Sequence, residues 1–276
     1  MNSQLVDADD QLAAVFSHFY CVQLDINEVA LQQQLLPNYE MLLVFNFGPA
    51  IAISLGDNHH VIGKTAVIGP LQKTLTYTLP PGADVIVTNF TLNGFYRLLG
   101  VSMQQLHNQD LHDPDLLLDK QCFIDLWAQL APMTKLDDRL RLLTNYALTF
   151  VNPSDAASHT LLAGVSYFRD LTLDPVKQLA QTHQLSTRRI QSHFKTYLGY
   201  SAKELIRFLR FKKVLHFLYR QRPQTVDWPD LVLTFGYYDH SHLSKDFIYY
   251  LGLTPRQFLK QLTEGGVCIS KSGKFY

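Results

Sequence analysis

One pattern of apolar positions occurs twice in this chain, in residues 173–207 and again in 227–260. Setting Ile190 on Leu243 brings Phe194 onto Phe247, Tyr197 onto Tyr250, Leu198 onto Leu251 and Gly199 onto Gly252, a constant offset of 53. Upstream the offset is 52, pairing Val176 with Trp228, Leu179 with Leu231, Ala180 with Val232 and Gln184 with Gly236. Two copies of one small unit are therefore joined in tandem. The second has a turn one residue longer, a change that a turn absorbs easily.

Each copy reads as helix, tight turn, helix. In the second, Trp228, Leu231, Val232 and Phe235 recur at i, i+3, i+4 and i+7, the period of one helix face. Gly236 can supply a positive φ at the helix end, and Asp239 or Ser241 can cap the next helix, which buries Leu243, Phe247, Tyr250 and Leu251. In the first copy Asp174 and Pro175 suit the N-cap and N1 positions, and Ser186 or Thr187 opens the helix burying Ile190, Phe194, Tyr197 and Leu198.

At 100° per residue the opposite face of that helix carries Arg188, Ser192, Lys195 and Thr196, flanked by Arg189 and Gln191. Arginine can pair with guanine and glutamine with adenine in a major groove wide enough for a helix. An ordinary solvated basic face is the competing reading. The second copy repeats the placement with Ser241, Ser244 and Lys245, although Ile248 and Tyr249 stand where Lys195 and Thr196 do in the first.

The run LVLTFGYYDHSHLSKDFIYYLGLTPRQF, residues 231–258, closely resembles the signature of the AraC/XylS family of bacterial transcription regulators. The resemblance extends over about residues 153–262. It implies an all-α DNA-binding domain with two helix-turn-helix motifs joined by a long helix, the second helix of each entering successive major grooves. Carried over by position, Arg188, Arg189, Gln191, Ser192 and Lys195 in the first motif and His240, Ser241, Ser244 and Lys245 in the second would contact DNA. Val232 and Val214 depart from the small residues usual at those sites, which implies slightly altered helix packing. The resemblance further implies double-stranded promoter DNA as partner, with RNA polymerase, a small-molecule effector and a second copy of the chain as further candidates.

Spacing supports the same arrangement. Residues 202–219 carry apolar side chains at helical intervals. Eighteen residues at about 1.5 Å each span roughly 27 Å, near the roughly 34 Å between adjacent major grooves on one face. On this bridge Arg207, Arg210, Lys212 and Lys213 are expected to form structural pairs or to contact phosphate. The zero net charge conceals an asymmetry: residues 1–152 sum to −8 and 153–262 to +7. A basic reader joined to an acidic module fits nucleic-acid binding.

Residues 1–152 read as a sensing or dimerisation domain. A helix is expected around residues 11–22, or a loosely ordered start, and then five strand-like runs at 39–47, 50–55, 60–68, 72–79 and 84–90. These predict a small antiparallel β barrel or sandwich, which the family resemblance likens to a cupin-like sensing domain, so the whole chain is α+β. Helices are expected at 94–106, 123–130 and 136–151. The last has a stripe of Leu136, Leu140, Leu143, Ala147 and Phe150 that suits either dimerisation or packing on the chain's own barrel. Residues 155–169 read as the first helix of the C-terminal domain, and 263–276 as a flexible tail without a role.

Cys21, Cys122 and Cys268 are scattered and odd in number, which argues against a disulfide framework or zinc site and fits a cytoplasmic protein. No signal pattern or membrane span is expected. His59 and His60 read as an exposed turn, since neighbours on a strand face opposite ways, and His107, His112 and Asp113 as a loop. No catalytic motif is present, no cofactor is implied, and catalysis is not expected. The aromatics Phe45, Phe47, Tyr77, Phe90 and Phe95 suit either a ligand pocket or a plain core. Two rivals remain: a DNA-binding module fused to an enzyme, as in alkylation-repair proteins with clustered zinc-bound cysteines, and a helix pair that binds a protein partner.

Overall fold

The computed structural model describes residues 1–106, 109–152, 161, 174–221 and 225–263. The first part folds around two antiparallel sheets. Strands β1 (Asn2–Asp7), β2 (Phe16–Gln23), β4 (Leu42–Asn46), β7 (Thr65–Ile68), β9 (Asp84–Phe90) and β10 (Leu111–His112) form the larger, in the order β1-β2-β9-β4-β7-β10. Strands β3 (Leu31–Leu35), β5 (Ile51–Leu55), β6 (Asn58–Ile62) and β8 (Leu75–Leu79) form the smaller, in the order β3-β8-β5-β6. Of the two expected architectures, barrel or sandwich, the sandwich is the one adopted.

The central strands of the larger sheet are buried on both faces, and their side chains divide with a period of two. Val22, Leu42, Val44, Ala66, Ile68 and Val85 pack toward the smaller sheet. Their neighbours Phe19, Cys21, Leu43, Phe45, Val67, Ile86 and Phe90 pack beneath helices. Those helices are α1 (Gly94–Leu99), α2 (Pro114–Leu118), α3 (Cys122–Leu130) and α4 (Leu136–Phe150). The stripe of α4 is consumed here, with Leu140, Leu143 and Ala147 buried against the chain's own sheet.

Several expectations need correction. The helix expected over 11–22 is replaced by β2, because Phe19 to Val22 presents apolar and aromatic side chains to both sides of a strand covered on both faces. The single run 60–68 is two strands in different sheets, broken at Gly63 and Lys64. His59 and His60 lie in β6, opposite Ser54 and Ile53, rather than in the turn, which falls at Gly56 and Asp57. The helix over 94–106 stops at Gly100, whose φ is 67°, and resumes as a 3-10 turn at Met103–Leu106. Apart from Leu161, the expected helix at 155–169 lies outside the described residues, as do His107, Cys268 and tail residues 264–276. Thr263, assigned to the tail, closes the final helix.

The C-terminal part is helical: α5 (Pro175–Thr182), α6 (Thr187–Leu198), α7 (Ala202–Gln221), α8 (Trp228–Thr234), α9 (His240–Leu251) and α10 (Pro255–Thr263). Its caps follow from local chemistry. Asp174 accepts from the amides of Val176 and Lys177, Ser186 from that of Arg189, Asp227 from Asp230 and Asp239 from His242. The duplication is visible in the backbone, since the paired positions Gln184 and Gly236 both adopt the left-handed conformation, φ 54° and 66°.

A Cβ at Gly236 would meet no atom within 4 Å, so a side chain there is opposed by backbone conformation alone. Gly236→Ala should therefore destabilise by about 1 kcal/mol, read as a lower urea midpoint with unchanged slope. A neutral effect would mean that the turn relaxes out of the left-handed region.

Candidate nucleic-acid interface

Helices α6 and α9 are the second helices of the two units, and each is anchored by three or more buried apolar residues. Ile190, Phe194 and Leu198 hold α6, while Leu243, Phe247, Tyr250 and Leu251 hold α9. Each fully buried aliphatic or aromatic side chain contributes roughly 1.5–3 kcal/mol, so neither helix rotates freely about its axis. Their remaining faces are thereby fixed toward the outside.

On α6, Arg188, Arg189, Gln191 and Ser192 are exposed. Lys195 is also exposed but reaches Glu204 at 3.4 Å. Glu204 is held by the amide and hydroxyl of Ser201, both at 2.6 Å. Burial opposes the Glu204 charge, but these bonds and Lys195 outweigh it and keep the carboxyl below its ordinary value. Thr196, expected on the outer face, is half-buried and its carbonyl accepts from the Ser102 hydroxyl at 3.3 Å.

On α9, His240, Ser241 and Lys245 are exposed and Ser244 is half-buried. His240 meets Trp228 edge to face, with ring centres 5.6 Å apart, and its Nδ1 lies 3.4 Å from the Ser244 hydroxyl. Ile248 and Tyr249 extend the exposed surface, Tyr249 with the Arg207 guanidinium 4.6 Å above its ring. The second face is thus more apolar and aromatic than the first.

The bridging helix α7 sets the pose of α9 through a buried charge that the sequence analysis did not single out. Asp246 is fully buried. Arg207 reaches one of its carboxylate oxygens with Nε and Nη2, both at 2.7 Å, and the Tyr237 hydroxyl donates to the other at 3.0 Å. Burial opposes the Arg207 charge, yet Asp246 holds its pKa above the ordinary value. A signal was present: Asp246 interrupts the apolar stripe of Leu243, Phe247 and Tyr250, and a buried carboxylate requires a partner. Of the four cations expected to pair or to contact phosphate, Arg207 takes the structural role.

The N-terminal domain touches the C-terminal ends of both second helices. Tyr96 packs edge-on against Tyr197 at 4.6 Å, and a Cβ at Gly199 would press on Met103 at 3.2 Å. The amide and hydroxyl of Thr74 donate to the Tyr250 carbonyl at 3.2 and 3.4 Å. Between these, Tyr39 sits in the left-handed conformation, φ 59°, with its ring stacked on Phe208 at 4.3 Å and edge-on to Tyr200 at 4.9 Å. Burial and Tyr250 push its hydroxyl pKa well above the ordinary value. Apart from Lys195, which is in the last turn of α6, the residues expected to contact DNA lie in the N-terminal halves of helices braced at the other end.

The expected aromatic pocket is mostly core. Phe45, Phe90 and Phe95 are buried beneath the helices, and Phe47 stacks on Trp127 with the Arg139 guanidinium 4.0 Å above its ring. Of the five, Tyr77 lines a cavity of about 240 Å³ between the two sheets. Its walls are apolar, including Val22, Leu42, Val44, Ile53 and Leu75, with His18 and Asn89 among its polar members. Among the described residues no three His, Cys, Asp or Glu side chains gather as a metal site. Cys21 and Cys122 are free, and burial, before Asp84, pushes the Cys21 thiol up to about 12. No described helix is long and apolar enough to cross a membrane.

Removing the cation from the buried pair is the most direct local test. Arg207→Met should destabilise by about 3 kcal/mol, the lower end for a broken buried pair because the arginine is 40% exposed, as measured by chemical unfolding. A loss below about 1 kcal/mol would match a surface pair instead.

Residues 179–261 match the family described as a helix-turn-helix domain, and residues 4–112 match a domain of unknown function, DUF6597. No curated protein matches the chain. Among solved structures, ToxT from Vibrio cholerae is similar at 11% identity and a TM-score of 0.42, over 89% of this chain and 98% of that one. A structure of ToxT with unsaturated fatty acid bound gives 12% identity and 0.40, over 92% and 97%. The AraC-like transcriptional activator CuxR gives 10% and 0.30, over 73% and 77%. The duplicated, capped helix pairs and the match at 179–261 together make the C-terminal region of this chain a helix-turn-helix domain of the AraC/XylS regulator type.

Proposed function

We propose that this protein is a transcription regulator in which residues 153–262 bind promoter DNA and residues 1–152 sense a small molecule in the sandwich cavity. The observation that carries the reading is the pair of braced helices with polar, exposed N-terminal faces. Arg188, Gln191, Ser192, Ser241 and Lys245 read base edges, while Arg189, Lys195, His240 and Ser244 position the helices on phosphate or sugar. The basic C-terminal half supplies the salt-dependent part of the affinity. The two units differ in sequence, so one chain recognises an asymmetric site.

The cavity has a material connection to the reading helices. Asn89, in its wall, donates to Glu40 at 3.0 Å, and Asn38 donates to the same oxygen at 3.2 Å. Burial pushes the Lys212 amine of the bridging helix below its ordinary range, against the attraction of Glu40. Glu40 also follows Tyr39, the ring packed on that helix. An occupant of the cavity that shifts Asn89 shifts Glu40 and Tyr39 with it, and so the brace on α6 and α9.

The protein works in the cytoplasm beside its DNA, with RNA polymerase as the partner at the promoter. A homodimer would use a surface other than the stripe of α4, which is already buried. Catalysis has no place in this reading.

Selecting bound duplexes from a random pool should yield one asymmetric consensus. On that duplex Arg188→Ala should cost about 1–3 kcal/mol, concentrated at one base pair, with a much smaller loss on random DNA. Equal losses on both duplexes would remove Arg188 from base reading.

A further inference from the structure

The charge distribution around the sandwich cavity bears on what it holds. The walls are almost wholly apolar. Among the described residues lining the cavity there is no lysine or arginine, and His18 is the sole side chain able to carry a positive charge. The His18 ring is engaged at Nδ1, 2.9 Å from the Ser17 hydroxyl. Behind the wall at this end stands a carboxylate, since the Asn89 amide that lines the cavity donates to the buried Glu40. Lys212 feels the attraction of Glu40 but is not among the described residues lining the cavity.

These placements oppose an anionic occupant twice. A carboxylate entering the cavity loses its water in an apolar space with no lysine or arginine among the described lining residues, which is costly. Its charge would also stand near a second buried carboxylate, Glu40, and like charges that close repel. A neutral hydroxyl or carbonyl meets neither penalty and can exchange hydrogen bonds with Gln34, Tyr77, His18 or Asn89 at the cavity margin. Size narrows the class further. An apolar cavity of about 150 Å³ accepts benzene, so 240 Å³ suits about ten non-hydrogen atoms by simple proportion.

We infer that the cavity binds an uncharged, mainly apolar molecule of about ten non-hydrogen atoms with at most a hydroxyl or carbonyl, and discriminates against the corresponding carboxylate. The inference rests on the sensing role proposed for the N-terminal domain and names the chemical class of its ligand.

Two matched pairs of probes test it on the full chain at neutral pH: 1-nonanol against nonanoate, and 2-naphthol against 2-naphthoate. Binding is followed through the methyl resonances of Ile51, Ile53, Ile62 and Ile68, which all line the cavity. At least one neutral probe should shift these methyls saturably, with a Kd about tenfold or more below that of its carboxylate partner. If a carboxylate moves the same methyls as tightly as its neutral partner, the neutral class is wrong while the cavity remains a binding site. If neither member of either pair moves them, the inference and the sensing role of the cavity fall together.

Discussion

The stacking of Tyr39 on Phe208 lies at the centre of the contacts that join the two halves of this chain. Its ring lies flat on the bridging helix and edge-on to Tyr200 and Tyr250, which follow or end the two reading helices. Aromatic pairs add about 0.5–1.5 kcal/mol each beyond the area they bury. Several such pairs meeting at one side chain make the junction a packed core rather than a loose contact. The left-handed backbone at Tyr39 is the local cost of turning the chain there, and surrounding contacts must hold it.

From that junction the division of labour follows. The larger sheet is covered on both faces, by helices on one side and the smaller sheet on the other. The second sheet leaves an apolar cavity of about 240 Å³ between the two layers. At one end of the cavity Asn89 stands opposite His18 in the sheet and donates to Glu40, the residue that follows Tyr39. On the other side of Tyr39 the Arg207–Asp246 pair ties the second reading helix to the bridge. Hydrogen bonds and ring packing therefore run from the cavity wall to Glu40, and from its neighbour Tyr39 to the bridging helix and the end of α9.

How much of this was legible depended on the range of the interactions. The helix pairs were readable because their caps, turns and apolar faces act within a few residues: Asp174, Ser186, Asp227 and Asp239 announce helices wherever the rest of the chain goes. The sheets were harder. In strand β2 the run Phe19 to Val22 is apolar or aromatic at every position, so it shows no alternation and fits a helix equally well until both covering layers are known. Strand β3, LQQQL, is a largely polar edge strand and carries no alternation to notice. The run through Gly63 and Lys64 gives no sign that its halves join different sheets. Tyr39 and Glu40 were invisible as junction residues because their partners, Phe208 and Lys212, lie far along the sequence. Asp246 was the exception, a long-range clamp that betrayed itself as a charge inside an apolar stripe.

The central claim is that both reading helices engage one duplex together, in neighbouring major grooves. Guanine methylation interference on the selected duplex measures this most directly. The account predicts two interfering clusters about 10 base pairs apart on one face of the helix, each weakened by substitutions in only one of the two reading helices. Interference confined to a single groove, or clusters on opposite faces, would contradict it.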